Sequence, residues 1–283
     1  MERAERIWSE ALERSRGALE GGSLVPLETE WIPPQGWEPF HLRRLLSATP
    51  KHLRASGPKP NPFHPWDPQL QVRLLGDSHL LLLNKYPVQA GHVLLITQEY
   101  APQSSWLESG DWAAVARVDA DTGGLWFFNS CAEAGASQPH RHLQLLPRHG
   151  DQIVCPLDGL LRAQSAGDEE SWPWAYRLTP RRPGECAEDL ASTYQAHALE
   201  LGLGDPASDV RPLHPYNLIF SDHWFLTVRR QREHVAGFSV NGLGFAGYLL
   251  LSERSDLAWL QREGPWSLLQ AVAAGTEGLT PHT

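Results

Sequence analysis

The chain is poor in sulfur, with three cysteines and one methionine in 283 residues. Cys131, Cys155 and Cys186 are odd in number, widely spaced and outside any C-x-x-C pattern, which excludes a disulfide scaffold and a cysteine-built zinc site. Cys131 lies two residues after Asn129 and reads as a small loop or core residue rather than a nucleophile. Long apolar runs are missing too: no window approaches ~18 uninterrupted apolar residues, and the first twenty residues alternate acids and arginines without an apolar signal core. A cytoplasmic protein that neither spans a membrane nor is secreted is therefore expected. Positive charge is also short. Lysine and arginine number 24 against 33 acids, a net charge of −9, which opposes broad binding to nucleic acid or to an anionic membrane. The two commonest nucleotide loops are absent: there is no G-x-x-x-x-G-K-[ST], and Gly242-Leu243-Gly244 lacks the third glycine of G-x-G-x-x-G.

What is present is concentrated in one string, Gly135-Ala136-Ser137-Gln138-Pro139-His140-Arg141-His142-Leu143-Gln144-Leu145-Leu146-Pro147. Leu143, Leu145, Leu146 and the stop at Pro147 predict a strand, whose period of two puts His140, His142 and Gln144 on one face. A neutral imidazole can attack phosphorus, splitting one hard displacement into two easier ones, and His142 is the candidate nucleophile. The reference histidine pKa of about 6.5 already leaves most of such a ring neutral near pH 7. His140 flanks it. Gln144 offers an amide donor to a phosphoryl oxygen without a titrating proton, which suits transfer to a chosen acceptor better than activation of water. Upstream, the small residues Gly135, Ala136 and Ser137 let phosphate oxygens reach backbone N–H groups, and Ser137 and Gln138 add side-chain donors. A bare H-x-H is structural or metal-binding about half the time, since same-face histidines also make a metal pair. Here the first acid after His142 is Asp151, beyond Pro147 and Gly150, so a metal site is weakly supported.

Around this string the chain reads as an amphipathic helix over 4–19, a proline-rich extended segment over 26–68 with a short helical turn at 41–46, and neighbouring antiparallel strands at 69–75, 79–84 and 92–97. A helix is predicted over 106–121 and a strand through Trp126 and Phe128. The stretch 167–184, rich in acids, prolines and tryptophans, is the most loop-like and the candidate domain boundary. A helix over 186–203, a hairpin of 217–220 with 224–230, a strand over 245–251 and a terminal helix begun by Ser252 or Asp256 complete the pattern, with fraying from Gly275. The twelve tryptophans read as core packing first and adenine stacking second. His92, opening a buried strand, reads first as a hydrogen-bonded structural residue.

The H-x-H-x-Q string resembles the active-site motif of the histidine-triad superfamily in the form used by its transferase branches, and most nearly that of the diadenosine tetraphosphate phosphorylase, or ATP adenylyltransferase, family. Three further stretches carry the resemblance: Lys59-Pro60-Asn61-Pro62-Phe63-His64-Pro65 with Asp67-Pro68, Asn84-Lys85-Tyr86-Pro87 running to Thr97, and Gly123 to Ser130 leading into the loop. Tyr216-Asn217-Leu218, Trp224 to Arg230 and Ser239 to Gly247 look like the family's C-terminal domain. The resemblance implies an α+β fold related to the hexose-1-phosphate uridylyltransferases, mainly antiparallel sheet with packed helices. It divides the chain into a histidine-triad-like catalytic domain over 1–166 and an ATP adenylyltransferase domain over 167–283, packed as one unit.

The implied reaction is phosphorolysis: diadenosine tetraphosphate and inorganic phosphate give ATP and ADP through adenylylated His142. By the same resemblance Gln144 meets the α-phosphoryl oxygens and His140 orients the His142 ring. Asn129, Ser137 and Gln138 contact ribose and phosphate, and Lys59 and Lys85 hold the polyphosphate. The family commonly has Pro-Arg after the C-terminal strand where this chain reads Arg229-Arg230, so Arg230 alone carries over, as a substrate contact. No covalent cofactor and no fixed protein metal site are expected, with Mg²⁺ or another divalent cation accompanying the substrate through its own oxygens. Diadenosine polyphosphates, ATP, ADP and phosphate are the expected partners. Three rivals stay open: a dinucleoside polyphosphate hydrolase, which would prefer a third histidine at position 144; a sugar-nucleotide uridylyltransferase; and a nucleotide sensor without turnover.

Overall fold

The computed structural model describes residues 3–33, 36–46, 61–150, 152–168, 171–182 and 184–277. Its frame is one eight-stranded sheet in the order β3-β4-β5-β7-β6-β9-β10-β8, antiparallel at every pairing. The strands are β3 (Gln71–Leu75), β4 (His79–Leu83), β5 (Val93–Thr97), β6 (Gly124–Asn129), β7 (His142–Pro147), β8 (Tyr176–Pro180), β9 (Tyr216–Phe220) and β10 (Trp224–Arg229). Because β6 pairs with β9, residues before and after the 166/167 boundary share this one sheet. The fold is α+β with a large antiparallel sheet, as the resemblance implied.

Alternation along the strands sorts the two faces. Leu81, Leu83, Val93, Leu95, Trp126, Phe128, Leu143, Leu145, Leu218 and Phe220 point to one side, where they form a continuous core under three helices. These are α1 (Arg6–Glu20), α2 (Ser109–Asp121) and, after the short α3 (Asp158–Ala166) on the other side, α4 (Ala187–Glu200). They contribute Ile7, Ala11 and Ala18, then Trp112, Val115 and Val118, then Leu190, Tyr194 and Ala198. The opposite face has two separate covers. Over β6, β9 and β10, residues Leu125, Phe127, Ile219, Leu226 and Val228 pack with Leu157 and Leu161 at α3 and with Leu260, Leu268 and Leu269 of α5 (Leu257–Val272). Over β4 and β5, Leu80, Leu82, Leu94 and Ile96 pack under Phe63. Strand β7 runs between these covers, and its His142 and Gln144 face the seam.

Several elements differ from the sequence reading. The helical turn expected at 41–46 is the strand β2 (His41–Leu45), held by an antiparallel partner β1 (Thr29–Ile32) and a parallel one, β13 (Tyr248–Leu251). Two ladders outweigh the local preference, and Leu42 is buried by them. The loop-like stretch 167–184 contains β8, an edge strand against β10, because Trp174 and Tyr176 are buried and draw the backbone into pairing range. The strand expected over 245–251 begins only at Tyr248. Before it, Gly242–Ala246 form a 3-10 turn closed by Gly247 at φ 100°. A Cβ there would sit 2.8 Å from Pro156 Cβ, so neither the angle nor the space admits another residue. Helix α3 lies where the sequence predicts no element, being only nine residues long. A small hairpin, β11 (His234–Val235) with β12 (Phe238–Ser239), lies beyond the main sheet. The expected fraying from Gly275 falls mostly on 278–283, outside the described residues. Among the described residues, no helix is long and apolar enough to cross a membrane.

Candidate active site

His142 opens β7 opposite Ile96 of β5, and only 3% of it is exposed. Its Nδ1 lies 2.8 Å from the His140 carbonyl oxygen. A carbonyl only accepts, so Nδ1 carries the proton and Nε2 keeps its lone pair. Burial pushes the pKa of this imidazole down to about 4, with the neighbouring His140 ring lowering it further and the His140 carbonyl opposing. The ring is therefore neutral at physiological pH, in the tautomer that presents Nε2 as a nucleophile.

His140 is held differently. Its Nε2 donates to the Thr97 carbonyl at 2.9 Å and its Nδ1 accepts from Asn61 Nδ2 at 2.9 Å, so both ring nitrogens are occupied by protein groups. Burial lowers its pKa as well. It orients His142 through its backbone carbonyl rather than its ring. Phe63 lies against both imidazoles, with ring centroids 5.6 and 5.5 Å away.

Gln144 sits one strand pleat further on. Its Oε1 accepts from His92 Nε2 at 3.1 Å and, more weakly, from Asn84 Nδ2 at 3.4 Å. Burial pushes His92 down to about 3, so it too is neutral, with its proton on Nε2. The oxygen end of the Gln144 amide is thus fixed, and the NH₂ end is left as the donor. His92 is the hydrogen-bonded structural residue that the sequence predicts, and what it holds is the motif's glutamine. Gln103, unremarked in the sequence, places its carboxamide against the His142 backbone, accepting from His142 N–H at 2.8 Å. No local pattern could have pointed to it.

The loop before β7 turns at Gly135, where φ is 88° and a Cβ would lie 2.6 Å from Asn241 Cβ. Ser137 and Gln138 are half-buried, and the Gln138 Oε1 is buried without a hydrogen-bond partner. Asn129 stands beside His142 on the site face. Its Oδ1 accepts from Asn217 Nδ2 at 2.8 Å and from Gly242 N–H at 2.9 Å. Lys85 is exposed in the β4–β5 loop next to Asn84, hence at the Gln144 end of the site. Lys59 lies outside the described residues.

Arg230 is placed otherwise than expected. It is 1% exposed, and its guanidinium donates to the Val272, Arg232 and Val240 carbonyls and to Asn217 Oδ1. Burial lowers its pKa to about 10, which leaves it charged at neutral pH. It braces Asn217, and through it Asn129, from behind; it presents no surface to a polyphosphate. Arg229, of unassigned role in the sequence, bonds the Leu201 carbonyl and His214 Nε2.

Among the described residues no group of three histidine, cysteine or acidic side chains could hold a metal ion. The site is chemically a neutral, desolvated imidazole beside an oriented amide donor and a loop of small residues, an arrangement suited to in-line attack on phosphorus.

Comparison with known proteins gives the arrangement a family. Residues 1–163 match the Ap4A phosphorylase N-terminal domain, and residues 170–275 match the ATP adenylyltransferase C-terminal domain. Diadenosine 5',5'''-P1,P4-tetraphosphate phosphorylase 2 of Saccharomyces cerevisiae is 27% identical over 255 residues, 78% of each chain. The crystal structure of yeast Ap4A phosphorylase Apa2 superimposes with a TM-score of 0.73 at 21% identity, covering 97% of this chain and 99% of the other. The same yeast protein in complex with Ap4A gives 0.72 at 22% identity, covering 96% and 98%. With its catalytic-motif strand in the first matched domain and its bracing arginine in the second, the chain belongs to the Ap4A phosphorylase family.

Proposed function

We propose that this protein catalyses phosphorolysis of diadenosine tetraphosphate, giving ATP and ADP, with AMP carried between the two products on His142. The carrying observation is the 2.8 Å contact from His142 Nδ1 to the His140 carbonyl, which leaves Nε2 unprotonated. In the first step Nε2 attacks an α-phosphorus. The bond from that phosphorus to the bridging oxygen breaks, and ATP leaves with the electron pair. The imidazole then bears positive charge, which the His140 carbonyl stabilises through the Nδ1–H it already accepts, so no proton has to move. In the second step an oxygen of inorganic phosphate attacks the same phosphorus, the P–N bond breaks, its electrons return to Nε2, and ADP is released.

The Gln144 NH₂ is assigned to the α-phosphoryl oxygens, where negative charge develops. Ser137, Gln138 and Asn129 are assigned to ribose and phosphate, and Lys59 and Lys85 to the outer phosphates; Arg230 supports the loop without touching substrate. Residues 1–166 carry the chemistry and 167–283 brace it. Mg²⁺ or another divalent cation enters with the polyphosphate, held by its oxygens, and no covalent cofactor takes part. The compartment assigned is the cytoplasm, where the unpaired Cys131, Cys155 and Cys186 stay reduced.

The test is incubation with diadenosine tetraphosphate, with and without inorganic phosphate, followed by chromatography of the nucleotides. ATP and ADP that require phosphate are expected. AMP and ATP formed without phosphate would replace this reading with a hydrolase, and no turnover would remove it.

A further inference from the structure

The ladder between β6 and β7 ends two residues before the nucleophile's position. Phe127 pairs with Gln144, and continuation would join Asn129 to His142. At that point the strands part, and the Gln103 carboxamide fills the gap. Its Oε1 accepts the His142 N–H at 2.8 Å, and its Nε2 donates to the Asn129 carbonyl at 2.7 Å and to the His142 carbonyl at 3.3 Å. One side chain thereby stands in for a peptide unit of the missing partner strand.

Gln103 can do this because its own backbone is anchored to the same segment. Its N–H donates to the Pro139 carbonyl and the Arg141 N–H donates to the Ala101 carbonyl, both at 2.8 Å, with Pro102 and His140 as the bridged pair between them. The residues just before His142 have thus exchanged β6 for the 101–103 segment, and Gln103 hands the chain from one partner to the other. The residue is 3% exposed, so water does not reach these groups readily.

Resting on the phosphorolysis reading above, we propose that Gln103 is a positioning residue that sets the place of His142 Nε2 by clamping the nucleophile's backbone. Two constraints define that nitrogen: the His140 carbonyl fixes the ring's rotation, and Gln103 fixes the backbone the ring hangs from. Loss of a carboxamide that serves two carbonyls and one N–H leaves buried backbone groups unpaired, and a displacement near 1 Å at a reacting atom can cost about 100-fold in rate. Both senses of the amide are needed. An ionised carboxylate could accept from His142 N–H but would oppose two carbonyl oxygens; a neutral carboxyl could accept and donate again.

The experiment compares wild type, Gln103→Leu and Gln103→Glu by steady-state phosphorolysis across pH 5 to 8, with circular dichroism to establish folding. Gln103→Leu, similar in volume, is expected to lower kcat about 100-fold with KM changed less than about threefold. Gln103→Glu is expected to be as impaired at pH 8 and to recover activity toward pH 5, a pH profile that wild type does not share. Hydrogen exchange over residues 139–144, read by mass spectrometry without substrate, gives an independent measure; protection is expected to fall in Gln103→Leu. Unchanged exchange there, or a folded Gln103→Leu with wild-type kcat, overturns the proposal. Wild type that forms no ATP and ADP overturns the phosphorolysis reading instead, and the exchange comparison still decides whether Gln103 holds this strand.

Discussion

The apolar face of the central sheet and the seam at β7 on its other face are buried to a similar degree by opposite means. Under α1, α2 and α4 the face is apolar, and its leucines, valines and aromatics are interchangeable in kind if their volume is kept. On the seam face at β7, the buried groups are His140, His142 and Asn129 beside the half-buried Gln144, and each is held by a named partner: Thr97 and Asn61, the His140 carbonyl, Asn217, and His92. The first face stores stability in contacts that tolerate adjustment. The second fixes protonation states, because a buried polar group without its partner costs more than the bond contributes.

The largest test of this contrast is His142→Ala. Turnover should fall at least about a thousandfold while nucleotide affinity, measured by calorimetry, changes little, since the alanine removes the attacking atom and leaves the phosphate loop. Appreciable residual phosphorolysis would remove His142 as the nucleophile. The complementary change is Leu190→Ala on α4, under the apolar face. It should cost about 2–5 kcal/mol of unfolding free energy in a urea titration and leave kcat near wild type. A large loss of kcat in that variant would mean the two faces are not independent.

Smaller effects sharpen the comparison. His92→Phe keeps the ring and removes the donor to Gln144 Oε1; loss of that one hydrogen bond should lower kcat about tenfold, with KM moving less. An unchanged kcat would show that the glutamine needs no orientation. The pH response follows from the histidines kept neutral by burial, His142 held to about 4 and His92 and His197 to about 3. Below about 6.5 the unfolded chain takes up protons that the folded chain refuses, so stability is full above that pH and declines as pH falls, by up to about 1.4 kcal/mol per pH unit per group. Urea midpoints at pH 7.5 and 5 should show the decline, while kcat keeps its neutral imidazole across the same interval. Equal midpoints would mean these rings are not neutral in the fold.

Much of the site was legible because a strand's period is local. His140, His142 and Gln144 at alternate positions share a face whatever surrounds them, and Gly135, with φ 88° against Asn241, can only be glycine. Arg230 was not legible: the resemblance implied a substrate contact, and only the packing of α5 and the 240–246 turn encloses it. The β2 strand and β8 escaped for a related reason, since pairing partners distant in the chain overrode proline-rich, loop-like composition.

The amino-acid sequence by itself determined the alternation that sorts the sheet's faces, the spacing of the histidine–histidine–glutamine motif and the family to which the chain belongs. The tertiary structure decided which nitrogen of each imidazole holds its proton, which arginine is sealed away and which glutamine completes the broken ladder. The physical reason is separation. A pleat is set by adjacent residues, whereas His140 meets Asn61 across 79 positions, Gln144 meets His92 across 52 and His142 meets Gln103 across 39. Hydrogen bonds of that reach exist only once the whole sheet has closed around them.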